Sequence, residues 1–235
     1  MFNPIKKFFN DTSFPPNERL WLFCSLIFIC GYLGGFTFTV RGNLFVNAQT
    51  GNLVYLSVGI GTFNKTLIFQ TLSLFLTYSL GLISTEIISK KYKKKYLWEQ
   101  HFFIFSIFLT FIIGLFPETL PFEFTLFPIA FIVAAKFVSF EKVQGLTMAT
   151  GFCTNHLKQT CLNFVRFLRT KDIQKLKNSI SHFCMIISFV LGTSLAVYLG
   201  PFLHEKTIWL STFFTVITLI CFRNSIKTYK TKGEI

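Results

Sequence analysis

The sequence is poor in acid and poor in charge. Only 10 of its 235 residues are Asp or Glu, against 23 Lys or Arg, and charged residues of both signs make up 14%. That polar complement is too small to cover a soluble globule of this size. Cysteine occurs six times, at Cys24, Cys30, Cys153, Cys161, Cys184 and Cys221, with no CxxC pair. This excludes a small disulfide-stapled scaffold and leaves the thiols as buried small hydrophobes. Also missing are an HExxH motif, a phosphate-binding glycine loop, a Ser-His-Asp arrangement and a pair of carboxylates inside an apolar stretch. No catalytic residue and no cofactor are therefore expected. No metal site is expected either: the spacing of Cys153, His156 and Cys161, even with His182 brought near, matches no established ligand set.

What the chain has is apolar length: 51% hydrophobic residues, among them 33 Phe. A spanning helix needs about 20 mostly apolar residues, because the hydrocarbon core is roughly 30 Å thick and a helix rises about 1.5 Å per residue. Six stretches approach this: Trp21 to Val40, Leu67 to Ser89, Phe102 to Phe116, Phe122 to Phe140, Phe183 to Gly200 and Thr207 to Phe222. The first is too long for a signal-peptide core and lacks a small-x-small cleavage site, so it is read as a retained helix.

The formal net charge of +13 sits in the connections. Lys6, Lys7 and Arg19 precede the first stretch, Lys90, Lys91, Lys93, Lys94 and Lys95 follow the second, and Arg223, Lys227, Lys230 and Lys232 follow the last. With six helices and a cytoplasmic N-terminus, all of these fall on the cytoplasmic side, as the positive-inside rule requires. Both termini are thus expected in the cytoplasm, with the lipid bilayer as solvent and anionic lipids at the Lys/Arg clusters as partners. A nucleic-acid partner is not expected, because no basic stripe interleaved with aromatics lies outside the membrane flanks.

Two segments fit neither loop nor span. Arg41 to Thr66 carries Asn43, Asn47, Gln49, Thr50 and Asn52 ahead of an apolar run, and Gly145 to Leu168 mixes Thr, Asn, Gln and His with apolar residues. Thr50-Gly51-Asn52-Leu53 and Thr154-Asn155-His156-Leu157 agree at their first and last positions. A full crossing by the first segment would move the Lys90 to Lys95 cluster outside, so both read as re-entrant or half-helix segments. The first faces outward and the second faces the cytoplasm, so the two units are antiparallel. The expected fold is all-α: a polytopic membrane helical bundle of about six transmembrane helices plus two re-entrant segments in an inverted repeat. Residues 1–19 form a cytoplasmic segment, 20–223 one transmembrane domain with repeats at about 20–89 and 122–200, and 224–235 a basic cytoplasmic tail.

The stretch GYLGGFTFTVRGNLFVNAQTGNLVYLSVGI, Gly31 to Ile60, resembles the opening of the YoaK-like family of bacterial membrane proteins, and SFEKVQGLTMATGFCTNHLKQT, Ser139 to Thr160, resembles that family's second motif. The resemblance covers essentially the whole chain. It implies a multi-spanning protein of the bacterial cytoplasmic membrane and names no substrate or reaction. Three positions depart from the family pattern. Gly34 stands where an Asp is usual, Lys136-Phe137 where Gln-Asn is usual, and Thr154-Asn155-His156 where a second Thr-Gly-Asn is usual.

The candidate substrate-binding residues are Asn47, Gln49, Thr50, Gly51 and Asn52 from one half, Thr154, Asn155 and His156 from the other, and Lys136. Thr50 would cap a half-helix, Gly51 would let the backbone approach a ligand, and the positive end of the dipole would meet an anion. The same small and amide side chains also join helices by close packing. Two readings therefore stay open: a small-solute transporter or permease with a midplane site, or a non-transporting scaffold or partner-binding subunit. Either form is compatible with a homo-oligomer. Gly31, Gly34 and Gly35 read as a packing notch, Arg41 and Glu141 as side chains reaching for the headgroups, and Lys136 either as another such chain or as a functional group.

Overall fold

The computed structural model describes residues 8–92, 96–117, 119–147 and 153–231. Lys6, Lys7, Lys93, Lys94, Lys95, Lys232 and residues 148–152 of the second polar segment lie outside them. The helices are α1 (Leu20–Thr39), α2 (Gln49–Gly61), α3 (Lys65–Ser89), α4 (Leu97–Ile113), α5 (Glu123–Ser139), α6 (Cys153–Thr170), α7 (Ile173–Leu203) and α8 (Ile208–Thr231). A short antiparallel hairpin, β1 (Lys142–Val143) with β2 (Leu146–Thr147), follows α5. Each of the six apolar stretches lies largely within a helix. The polar segments hold the two remaining ones, α2 and α6.

Three helical stretches are long and apolar enough to cross a membrane: Leu20–Thr39, Lys65–Ser89 and Ile173–Thr231. The third, of 59 residues, is α7 and α8 joined through a 3-10 turn at His204–Thr207. At about 1.5 Å per residue it would be roughly three bilayer cores long if straight. His204, at φ +48°, breaks it.

Helices α3 and α8 are apolar outside and bury hydroxyls among their inward-facing residues. In α3, Phe69, Leu72, Leu76, Leu80, Ile83 and Ile87 form an exposed stripe, while Thr71, Leu74, Tyr78, Gly81 and Thr85 are buried. In α8, Phe213, Ile217 and Ile220 are exposed and Ser211, Thr212, Thr215 and Thr218 are buried. Water would expel such a surface, whereas lipid accepts it and leaves hydroxyls to bond within the bundle. The chain is thus all-helical in its packed body, with an exterior suited to lipid.

Helix α1 is the axis, with fourteen of its twenty residues buried. It packs most extensively on α7, through small residues on both sides. A Cβ at Gly192 would fall inside van der Waals contact with the Phe28 carbonyl, and one at Gly31 with the Phe189 carbonyl. At Gly35 it would lie 2.8 Å from the Thr193 carbonyl. Thr193 Oγ1 donates to the Gly31 carbonyl at 2.9 Å across the same seam. Helix α3 packs on α5 in the same manner, with Gly81 against Ala134 and Phe131.

The packing partners map onto themselves when α1 to α4 are exchanged for α5 to α8. The contact of α1 with α7 corresponds to that of α5 with α3, α2 with α3 to α6 with α7, and α1 with α8 to α5 with α4. The contacts of α4 with α8 and of α1 with α5 map onto themselves. The turns repeat too. Gly42 and Gly145 both have φ +78°, and the non-glycine residues of positive φ fall into the pairs Asn43/Gln144, Phe63/Lys171 and Tyr96/His204. After Phe63, Asn64 caps α3 by accepting from Leu67 N at 3.1 Å; after Lys171, Asp172 caps α7 by accepting from Gln174 N at 2.8 Å.

Candidate functional site

Asn47 sets where α2 begins. Its Nδ2 donates to the Cys30 carbonyl at 3.2 Å, and Cys30 lies halfway along α1. A Cβ at Gly34 would occupy the space of the Asn47 amide. The expected glycine notch is therefore divided: Gly31 and Gly35 face α7, whereas Gly34 receives Asn47.

The first turn of α2 is held by amides. Asn52 accepts from Phe45 N at 3.3 Å and donates to the Phe45 carbonyl and to Gln49 Oε1, while Gln49 Nε2 donates to the Val46 carbonyl at 3.3 Å. Asn47, Gln49 and Asn52 are buried, Thr50 is exposed and Gly51 is half-buried. Thr50 is not the cap. Asn52 N bonds the Ala48 carbonyl at 3.2 Å, so the helix opens earlier than expected, with Ala48 rather than Thr50 at the N-cap and no side chain capping it.

In the other half α6 begins at Cys153, which is half-buried. The first short helix thus begins beside the centre of α1, and the second holds the equivalent place in the repeat. His156, one turn into α6, is buried, and its Nδ1 lies 2.9 Å from Nδ1 of His182 on α7. Thr154 is exposed and Asn155 half-buried. Among the described residues, no three His, Cys, Asp or Glu side chains gather into a metal-binding group.

Lys136 does not reach the headgroups. It is 4% exposed, and its Nζ donates to the Leu26 carbonyl of α1 at 3.3 Å. Nor does Arg41 project outward. Its Nε lies 3.0 Å from Glu205 Oε1, and its terminal nitrogens donate to the carbonyls of Leu120 at 3.0 Å and Pro117 at 3.2 Å. Their partners, from 76 to 164 residues away, are invisible locally, so the sequence offers Arg41 only as a headgroup-reaching chain and leaves Lys136 open between that and a functional group. Glu141 is exposed.

The Arg41 cluster closes one end of the bundle, beside an open cavity of about 640 Å³ lined by Thr39, Gly42, Phe122, Val197, His204 and Glu205 among others. The other end is closed by equivalent segments. Gln144 N donates to the Glu18 carbonyl at 2.8 Å, Gly145 N to Glu18 Oε2 at 3.2 Å, and Asn17 Nδ2 to Glu99 Oε1 at 3.2 Å. At each end, the turn after one half's first helix grips the segment leading into the other half.

No curated protein and no solved structure matches the chain. The profile of a family described as protein of unknown function, DUF1275, matches residues 22–221, from the first turn of α1 into α8. The chain belongs to the DUF1275 family.

Proposed function

We propose that this chain is a small-solute permease of the bacterial cytoplasmic membrane, a six-span bundle of two inverted halves consistent with its YoaK-like motifs. The observation that carries this reading is that α2 begins beside Cys30, at the middle of α1, while α6 holds the equivalent place in the packing of the other half. Two short helices that stop at the middle of a spanning helix form the plan of transporters that alternate access around a midplane site. Irregular backbone at that depth is tolerated only inside protein or beside a wet cavity. The first-turn residues Thr50 and Gly51, with Thr154 and Asn155, line the proposed solute path.

The positions of the turns support the orientation. Arg41, Pro117 and Glu205 meet at one end, whereas Glu18, Glu99 and Gln144 meet at the other. The ends of α3, α6 and α8, with Lys90, Lys91, Arg169, Lys171, Arg223 and Lys227, belong to the second end, which is the cytoplasmic one by the positive-inside rule.

In a background without the native cysteines, Phe63→Cys and Lys171→Cys place thiols in the two equivalent turns. An impermeant reagent should label the first only from outside and the second only from the cytoplasm. Labelling of both from one side would overturn the inverted arrangement. Solute passage is tested in proteoliposomes with a panel of anions, sugars and amino acids: a flux that Gly51→Leu abolishes supports the permease. A second reading, a scaffold that moves nothing, is favoured by one observation: the amides of Asn47, Gln49 and Asn52 are all bonded within the protein. A stably reconstituted chain with no flux across the panel would favour it.

A further inference from the structure

The two halves differ where α3 and α4 lie on α5. Gly192 of α7 closes on the Phe28 carbonyl of α1, and Gly81 of α3 closes on the Phe131 carbonyl of α5, so Phe28 and Phe131 hold equivalent places. One turn beyond them stand Tyr32 and Ala135. Tyr32 is wholly buried, and its hydroxyl donates to the Thr207 carbonyl at 2.8 Å. Ala135 has no such bulk. It lines an open, apolar groove of about 490 Å³ bordered by α3, α4 and α5, with Ile88, Ile104, Phe105 and Phe108 as its exposed walls. One half fills this place with its own ring, and the other leaves it open.

One end of the groove is polar. Tyr92, Trp98 and His101 line it there, with the Tyr92 ring centroid 5.4 Å from that of Trp98 and 5.3 Å from that of His101. Trp98 Nε1 donates to Oγ of Ser139, the last residue of α5, at 2.7 Å. Indole and phenol rings at helix ends mark the headgroup level of a bilayer. Lys91, whose amide donates to the Ile88 carbonyl at 3.0 Å, stands beside Tyr92, and Lys90 and Lys91 open a run of five lysines in six residues. Glu86, paired with Lys90, and Glu141 nearby are outnumbered, so this rim is positive. A second copy seated through the same face would bring like charges together. An apolar trough ending at a positive, aromatic rim instead matches a molecule that the bilayer itself supplies, with a hydrocarbon chain at one end and a phosphate at the other.

We propose that the groove over Ala135 is a binding site for an anionic phospholipid of the cytoplasmic leaflet, one acyl chain lying between α3 and α4 and the headgroup phosphate meeting Lys91 and His101. The choice of leaflet rests on the orientation proposed above, while the site stands whether or not a solute crosses the protein.

The test is the fluorescence of the full chain in phosphatidylcholine vesicles, with Trp21→Phe and Trp209→Phe leaving Trp98 as its one indole. A rising fraction of the lipid is replaced by phosphatidylglycerol, or by phosphatidylcholine, brominated on its acyl chains, which quench an indole on contact. Half-maximal quenching should come at a mole fraction about tenfold lower for the brominated phosphatidylglycerol than for the brominated phosphatidylcholine. Lys91→Glu, on the exposed rim, should bring the two lipids together. Ala135→Phe, which puts a ring where Tyr32 stands in the other half, should remove the preference and lower the maximal quenching. If that variant does not fold, Ile104→Gln on the exposed wall takes its place and should raise the half-quenching fraction of phosphatidylglycerol about threefold. Equal quenching of the starting chain by the two lipids overturns the proposal. So does quenching by neither, which would mean that protein covers the groove, and so does a preference that survives both the rim and the groove substitutions.

Discussion

Helices α2 and α6 occupy equivalent places, each between a turn of positive φ and a side-chain-capped long helix, yet their first turns are held differently. In α2, Asn52 reaches back to the Phe45 backbone and holds the chain that enters the helix. In α6, His156 turns to His182 and holds the helix that follows. The ends differ likewise: one is locked by a buried Arg41–Glu205 ion pair, the other by the backbone amides of Gln144 and Gly145 donating to Glu18. Backbone geometry has been kept in duplicate while side-chain chemistry has diverged, so the two halves should fail differently when equivalent positions are altered.

The largest difference should come from the ends. Arg41→Ala leaves Glu205 buried without its partner and should cost about 3–5 kcal/mol, whereas Glu18→Ala at the other end should cost about 1 kcal/mol, both read from chemical unfolding in detergent. Equal losses would mean that the two ends are held alike.

Next come the helix seams. Gly192→Ala drives a methyl into the Phe28 carbonyl, and backbone cannot yield, so a loss near 3 kcal/mol is expected. Gly81→Ala meets the Ala134 side chain at 2.8 Å and should cost about 1 kcal/mol. The thermal melting of the two proteins ranks them, and a reversed order would break the assignment of α1 with α7 as the tighter seam.

At the short helices, Asn52→Ala should cost about 2 kcal/mol, because it frees the amide and carbonyl of Phe45, against about 1 kcal/mol for His156→Ala. Hydrogen exchange sharpens this contrast. Asn52→Ala should loosen residues 44–48, which precede α2, whereas His156→Ala should loosen the contact of α6 with α7.

The last contrast is at Gly34. Gly34→Ala should cost about 1–2 kcal/mol by displacing Asn47, and in an Asn47→Ala background the same change should cost almost nothing. Additive losses would show that Gly34 serves some contact other than Asn47.

Much of this fold was legible in the chain. Apolar length marked the long helices, and the mixture of amides with apolar residues marked the two segments that became α2 and α6. What stayed hidden depended on distant partners. Thr50 looked like a cap because Thr caps helices, yet the bond from Asn52 N to the Ala48 carbonyl starts the helix earlier. Arg41 looked like a side chain in search of water, and Lys136 stood open between that and a functional group, because Glu205 and the Leu26 carbonyl lie 164 and 110 residues away. Gly31, Gly34 and Gly35 looked alike, and only their neighbours tell them apart.

The seam of α1 with α7 also constrains how the chain is made. A helix of the first half packs chiefly on a helix of the second, and α5 likewise on α3, so neither half completes its core alone. During synthesis α1 must wait for a partner that emerges more than a hundred residues later. A chain arrested between α4 and α5 would therefore leave Gly31 and Gly35 without the helix that covers them, a target for quality control rather than a half-sized product.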